Sequence, residues 1–169
     1  MNPLPAARRV VIAAAAVVGL VACQAASPVS TETDGPPSDR SWTVTHVYDG
    51  DSMEVERSGA VEDVRVIGID TPERGECGAD VAREAAQSRL LNVEVELVAG
   101  AQTDRDAYGR MLRYVEVAGD DYGLAMISDG LAIARYDSRT DQPHDREQRY
   151  RELDAAVEHM CPDFDDAAS

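Results

Sequence analysis

Between residues 41 and 69 the chain admits little besides an antiparallel meander. Trp42, Val44 and Tyr48 alternate with polar positions up to a turn at Asp49-Gly50-Asp51, so 41–48 reads as a strand. Met53 and Val55 carry the alternation into a second strand. Ser58-Gly59 is then a hairpin signal leading into a third, 61–69.

Downstream, 80–91 is rich in helix formers and carries Val81, Ala82, Ala85, Ala86 and Leu90, with Asn92 ending it. Val93 to Leu97 alternates strictly, the pattern of a half-buried strand, and 111–117 supplies a fifth after the polar loop 100–109. A short helix over 122–129 stops at Gly130, and a last helix places Tyr150, Leu153, Val157 and Met160 on one face. Five short strands with one helix inserted between the third and fourth predict an α+β, mainly β, fold: a five-stranded Greek-key barrel of OB type with three helices.

The N-terminal residues read as something other than this domain. Arg8 and Arg9 precede an apolar run from Val10 to Leu20, a secretory layout too short to span a bilayer comfortably. Leu20-Val21-Ala22-Cys23 resembles a bacterial lipobox. The expected organisation is a signal peptide at 1–22, a lipidated Cys23 and flexible linker at 23–40, the folded domain at 41–164 and a tail at 165–169. The protein is then exported and anchored to the membrane through Cys23, facing away from the cytoplasm. Cys77 and Cys161 remain as an even pair, which in an exported chain reads most simply as a disulfide. Two free thiols or a metal pair is the alternative, without the spacing or histidines a zinc site wants.

Charge excludes one class of function. The chain has 16 basic residues, all arginine, against 32 acidic ones. Removing Arg8 and Arg9 with the signal deepens the net charge from −16 to −18. A module that holds nucleic acid by charge alone is normally basic, so passive binding is disfavoured. An enzyme is less affected, because its cationic site is local and distant charges are screened beyond about 10 Å at moderate salt.

Three polar segments stand where strands end. Asp49-Gly50-Asp51-Ser52 has the commonest turn dipeptide, and it lacks the ligand spacing of an EF-hand. Arg65 lies inside the otherwise apolar run before Asp70-Thr71-Pro72-Glu73, and Asp106-Ala107-Tyr108-Gly109-Arg110 enters the fifth strand. Together, in this order, they closely resemble the thermonuclease (staphylococcal nuclease) family, whose pattern is an Asp-Gly-Asp-Thr turn, an Arg five residues before Asp-Thr-Pro-Glu, and a later Tyr-Gly-Arg.

The resemblance implies roles. Asp51, Asp70 and the Thr71 carbonyl correspond to calcium ligands. Glu73 corresponds to the general base, Arg65 and Arg110 to the phosphate clamp, and Tyr108 and Tyr136 to residues that bind the nucleotide. It further implies a Ca2+-dependent hydrolase of DNA and RNA leaving 3′-phosphate ends. These residue types suit the chemistry independently: guanidinium binds phosphoryl oxygens bidentately and stays charged, calcium takes carboxylate and carbonyl oxygens, and a carboxylate near a water serves as base. Ser52 replaces the family's threonine but keeps the hydroxyl; Ala107 and Ser138 stand where the best-known member has a lysine and a second stacking tyrosine. His46, His144 and His159 have no matched role and read as surface or packing residues. Arg65 and Asp70 have opposite strand parity, so both reach one site only if the ladder breaks between them, with Gly68 the expected place. The competing readings are a catalytically silent OB-type nucleic-acid-binding surface lipoprotein and a purely structural one. A monomer is expected, since no extended apolar face is left over.

Overall fold

Residues 41–161 are described by the computed structural model. The expected signal peptide, the lipidated Cys23 with its linker, and the tail at 165–169 lie outside the described residues.

The meander forms as β1 (Ser41–Val47), β2 (Ser52–Arg57) and β3 (Ala60–Val66). Ser58 and Gly59 both have positive φ, the turn geometry whose twist matches that of paired strands. β4 (Ile69–Asp70) and α1 (Ala79–Leu90) follow, then β5 (Glu94–Val98), β6 (Met111–Val117), β7 (Asp120–Asp121), α2 (Tyr122–Ser128), β8 (Ile133–Ala134) and α3 (Glu147–Asp154). β1 pairs antiparallel with both β2 and β5, and β5 pairs antiparallel with β6. β6 then runs parallel to β3, which closes β1-β2-β3-β6-β5 into a five-stranded barrel. Closure removes the two long sheet edges that an open five-stranded sheet would expose. The inward residues Val44, Val55, Val64, Val66, Val95 and Val115 are fully or almost fully buried, and Ala82, Ala86 and Leu90 of α1 join the same core. The fold is therefore the expected OB-type barrel with three helices.

The third strand stops short of 69. Ile67-Gly68 forms a turn with Gly68 at φ +78°, and β4 then pairs with β8 rather than continuing the barrel ladder. A Cβ on Gly68 would lie 2.4 Å from His144 Cε1 and 3.1 Å from the Tyr150 ring, so glycine is required for space as well as for φ.

The last helix is shorter than its apolar spacing predicts. α3 ends at Asp154, which leaves Val157 and Met160 beyond it. The Met160 N–H donates to Gly130 O at 3.1 Å, and a disulfide joins Cys161 to Cys77. These two attachments turn the chain back across the end of α2. Tyr150 and Leu153 pack on the core as expected, whereas Met160 is exposed.

Candidate active site

The site is assembled where β3 ends. Arg65 pairs in register with Ser52 of β2 on one side and Leu112 of β6 on the other. The Val66 N–H donates to Asp51 O at 2.8 Å, tying the Asp49–Ser52 turn to the same spot. The turn itself needs Gly50, because a Cβ there would lie 2.6 Å from Thr71 Cγ2 and 2.9 Å from Thr71 Oγ1. Gly50 thus lets the Thr71 segment lie directly on the turn, while the buried Tyr122 hydroxyl donates to Gly50 O from the other side at 2.6 Å.

Asp51 is the hub. Its Oδ2 accepts from Thr71 N (2.8 Å) and Thr71 Oγ1 (2.9 Å), and its Oδ1 accepts from Ser52 Oγ (3.0 Å) and lies 3.2 Å from Arg65 Nε. The Arg65 guanidinium extends from there to Asp70 Oδ1 through Nη2 at 3.1 Å, and its Nη1 donates to the Val66 and Ile69 carbonyls at 2.8 and 2.9 Å. The broken ladder is what allows this: Arg65 and Asp70 meet across the Ile67-Gly68 turn despite their opposite parity. Arg110 joins from β6. Its Nη1 donates to Ser52 Oγ at 3.1 Å, and its Nε is held by Asp106 Oδ2 at 2.7 Å. Asp106 Oδ1 accepts from the Tyr108 and Arg110 N–H groups, so one carboxylate shapes the whole Tyr-Gly-Arg loop.

Carboxylates outnumber the cations among these contacts. Burial pushes the Asp49 carboxyl up to about 6, and the neighbouring Asp51 charge adds to this. Asp70 is likewise raised to about 6 by burial; the Arg65 guanidinium opposes that shift, and the Asp51 charge reinforces it. Three carboxyls around one guanidinium form a pocket of excess negative charge built from hard oxygen donors, the donor class that suits calcium or magnesium. Among the described residues no three His, Cys, Asp or Glu side chains surround a common point suited to a metal. A cation here would be held by Asp51 and Asp70 together with main-chain oxygen and water. On these grounds the residues fit such an ion.

Glu73 sits in an exposed turn just past this cluster, with its N–H donating to Glu76 Oε2 at 2.7 Å and its carbonyl accepting from Glu76 N at 2.9 Å. Its charge is close enough to contribute to the raised Asp70 pKa. Cys77, four residues on, joins this loop to Cys161. Beside the cluster opens a groove of about 570 Å³ lined by Arg65, Arg105, Tyr108, Arg110, Tyr136 and Pro143, among others. The Tyr136 ring lies 5.3 Å from the Arg65 guanidinium, and the Tyr108 ring 5.4 Å from that of Arg110.

Some contributors carried no separate signal in the sequence. Tyr122 had none, its alternation being that of an ordinary helix start. Arg135, 3.7 Å from Asp70 Oδ2, was hidden because a charged residue after an apolar run reads as the end of a strand. Asp106 was visible as part of its motif but not as the residue that orients Arg110. His144 is a packing residue, buried with its Nδ1 2.9 Å from the Tyr114 hydroxyl.

Residues 63–159 match the family described as staphylococcal nuclease homologue. The thermonuclease of Staphylococcus hyicus is 28% identical over 133 residues, covering 75% of this chain and 78% of that protein. The thermonuclease of Staphylococcus intermedius is 32% identical over 102 residues, 57% of this chain and 60% of its own length. The SPbeta prophage-derived endonuclease YokF of Bacillus subtilis is 33% identical over 104 residues, 56% of this chain and 34% of YokF.

Proposed function

Because the chain belongs to the staphylococcal nuclease family, we propose that it is a calcium-dependent nuclease that hydrolyses DNA and RNA to 3′-phosphate products outside the cytoplasm. Relatives named as thermonucleases and as an endonuclease support nuclease activity. The observation that carries the reading is the convergence of Arg65 and Arg110 on one carboxylate: Arg65 touches Asp51 directly, and Arg110 reaches it through Ser52 Oγ.

In this mechanism a phosphodiester enters with its anionic oxygens toward the two guanidiniums. Guanidinium groups bind such oxygens in pairs, and the charge that gathers on the equatorial oxygens in the transition state strengthens those contacts. Calcium, held by Asp51, Asp70 and the Thr71 carbonyl, would supply Lewis-acid stabilisation of the phosphoryl group. Glu73 takes the proton of the attacking water. The water oxygen bonds to phosphorus, the bond to the 5′-oxygen breaks, and the departing alkoxide takes a proton from solvent water to leave as a hydroxyl. Tyr108 and Tyr136 hold the nucleotide in the groove. Export fits the Cys77–Cys161 disulfide, which persists in an oxidising compartment. Anchoring through lipid on Cys23 and a monomeric state complete the proposal.

The test is digestion of single-stranded DNA by residues 24–169, with calcium or with chelator, beside Glu73→Ala. Cleavage that needs calcium and falls by about 10²–10⁴-fold in the variant is expected for a lost general base. A folded wild-type domain that cuts nothing across salt and pH overturns the nuclease reading.

A further inference from the structure

The alternation that builds β3 is broken at one position. Val64 and Val66 face the core, and by strand parity Glu62 shares their face, opposite the fully buried Val55 of β2. An apolar side chain would suit that place, yet Val61 is the residue turned to solvent, at 57% exposed. A carboxylate at the rim of an apolar face needs a partner, and Glu62 finds one 43 residues away. Arg105 binds it with both ends of its fork: Nη1 donates to Oε2 at 2.8 Å and Nη2 to Oε1 at 3.0 Å. These hydrogen bonds hold the Glu62 carboxyl below its usual range.

The same Nη1 donates to Gly109 O at 2.8 Å, so Arg105 also grips the Tyr108-Gly109-Arg110 loop by its backbone. Residues 105–111 form a tight antiparallel arm. Arg105 bridges Met111, the Asp106 N–H donates to Arg110 O at 3.1 Å, and the Gly109 N–H donates to Asp106 O at 3.1 Å. Those bonds, like the contacts of the Asp106 carboxylate, stay inside the arm and give it a shape. The Val64–Met111 pair seats its base on β3, and the Arg105–Glu62 pair adds a second hold two residues earlier on that strand. One point leaves a hinge; two fix an angle. β3 carries Arg65 as well, so one strand sets both clamp guanidiniums, Arg65 directly and Arg110 through Arg105. A single-pronged exposed ion pair would contribute little, but this one is bidentate and joined to a main-chain carbonyl. Arg105 also lines the groove, although both its Nη groups are already committed to Glu62 and Gly109.

We propose that Arg105 is a positioning residue for the reaction: by fastening the loop to Glu62 and holding Gly109 O, it fixes the angle at which Arg110 reaches Ser52 and the phosphate beside Arg65. This rests on the nuclease reading above.

The experiment compares wild type, Arg105→Gln, Glu62→Val and the double variant on single-stranded DNA with calcium. Glu62→Val removes the acceptor while completing the apolar face of β3, so its melting midpoint stays at or above that of wild type. In both single variants kcat is expected to fall about 10- to 100-fold, up to the scale of a misplacement of about 1 Å, while KM stays near the wild-type value. The double variant loses no more than either single one, because both changes cut the same link. Amide exchange at Gly109 and Arg110, measured without substrate, is faster in both single variants. A wild-type kcat in Glu62→Val with a raised KM in Arg105→Gln overturns the proposal and makes Arg105 a direct substrate contact. Losses that add in the double variant, or unchanged amide exchange, overturn it as well. Wild type that cuts no nucleic acid overturns the nuclease reading instead, and the exchange rates still decide whether the pair holds the loop.

Discussion

Asp51 is 5% exposed and accepts from Ser52, Arg65 and both donors of Thr71, whereas Tyr108 is 87% exposed and projects from a loop beside Arg110. The same contrast separates Arg65, fastened by two carboxylates and two carbonyls, from Glu73, whose side chain stands on an exposed turn. On the proposed reading, the charges that would meet the phosphate or a cation are thus fixed before substrate arrives, and the groups that would meet base or water are left accessible. Fixed dipoles and charges need no reorganisation at the moment of reaction, which is where electrostatic catalysis gains most. The accessible half would then be free to adapt to different bases, as the proposed action on both DNA and RNA requires.

The comparison breaks first at Arg65. Arg65→Gln is expected to lose about 10²–10³-fold in kcat, as for one lost transition-state donor. It is also expected to lower stability by about 3 kcal/mol, because two poorly hydrated carboxylates are left without their counterion. Urea titrations with and without calcium check the second part: calcium recovers much of the loss if it takes over the neutralisation. If Arg65→Gln costs activity alone, the fixed half is less constrained than its contacts imply.

The disulfide sharpens the contrast, since it ties the exposed Glu73 loop to the far end of the chain. Cys77 and Cys161 are 84 residues apart, and closing a loop of that length contributes at most about 4.5 kcal/mol through the unfolded state. Cys77→Ser with Cys161→Ser is therefore expected to lower the urea midpoint markedly. At temperatures where the variant remains folded, kcat should fall while KM stays near the wild-type value, since the loop carries Glu73, the proposed base, and does not line the groove.

A smaller effect is expected at Tyr108. Tyr108→Ala should raise KM by about 5–150-fold, the range for one lost base-stacking contact, and leave the melting midpoint unchanged because the ring is exposed. A change in kcat of the same size would place Tyr108 with the fixed half.

The smallest concerns His144, behind the Gly68 turn. Burial against Tyr114 and Tyr150 lowers its pKa below the usual histidine value, which the nearby Glu147, Asp137 and Asp145 charges partly offset. The unfolded chain therefore binds a proton in a window where the folded chain does not, and stability falls as pH drops through that window from about 6.5. Below the folded-state pKa the loss is complete. Melting midpoints of wild type and His144→Asn between neutral and mildly acid pH test this: the wild type should lose more of its midpoint on acidification.

Much of this architecture was legible in the residues. The alternation from Trp42 to Val66 and the Ser58-Gly59 turn specify the meander, because a strand with one buried face tolerates only one register. The parity conflict between Arg65 and Asp70 was itself informative, since only a break near Gly68 reconciles them. The end of α3 was not legible: Val157 and Met160 sit at helical spacing, and it took the disulfide and the Gly130 contact to turn the chain away. Nor were β7, β8 or the left-handed Tyr136, whose two-residue ladders and kink have no periodic signal.

The sequence by itself determined the barrel strands, the residue types at the site and their order, because hydrophobic period and turn chemistry act over a few neighbours. Only the tertiary structure decided that Arg110 reaches Asp51 through Ser52, that Gly50 yields its Cβ space to Thr71, and that Arg135 stands across Asp70 from Arg65. Those relations join segments 20 to 65 residues apart, and their geometry is set by barrel closure and by the packing of β4 against β8.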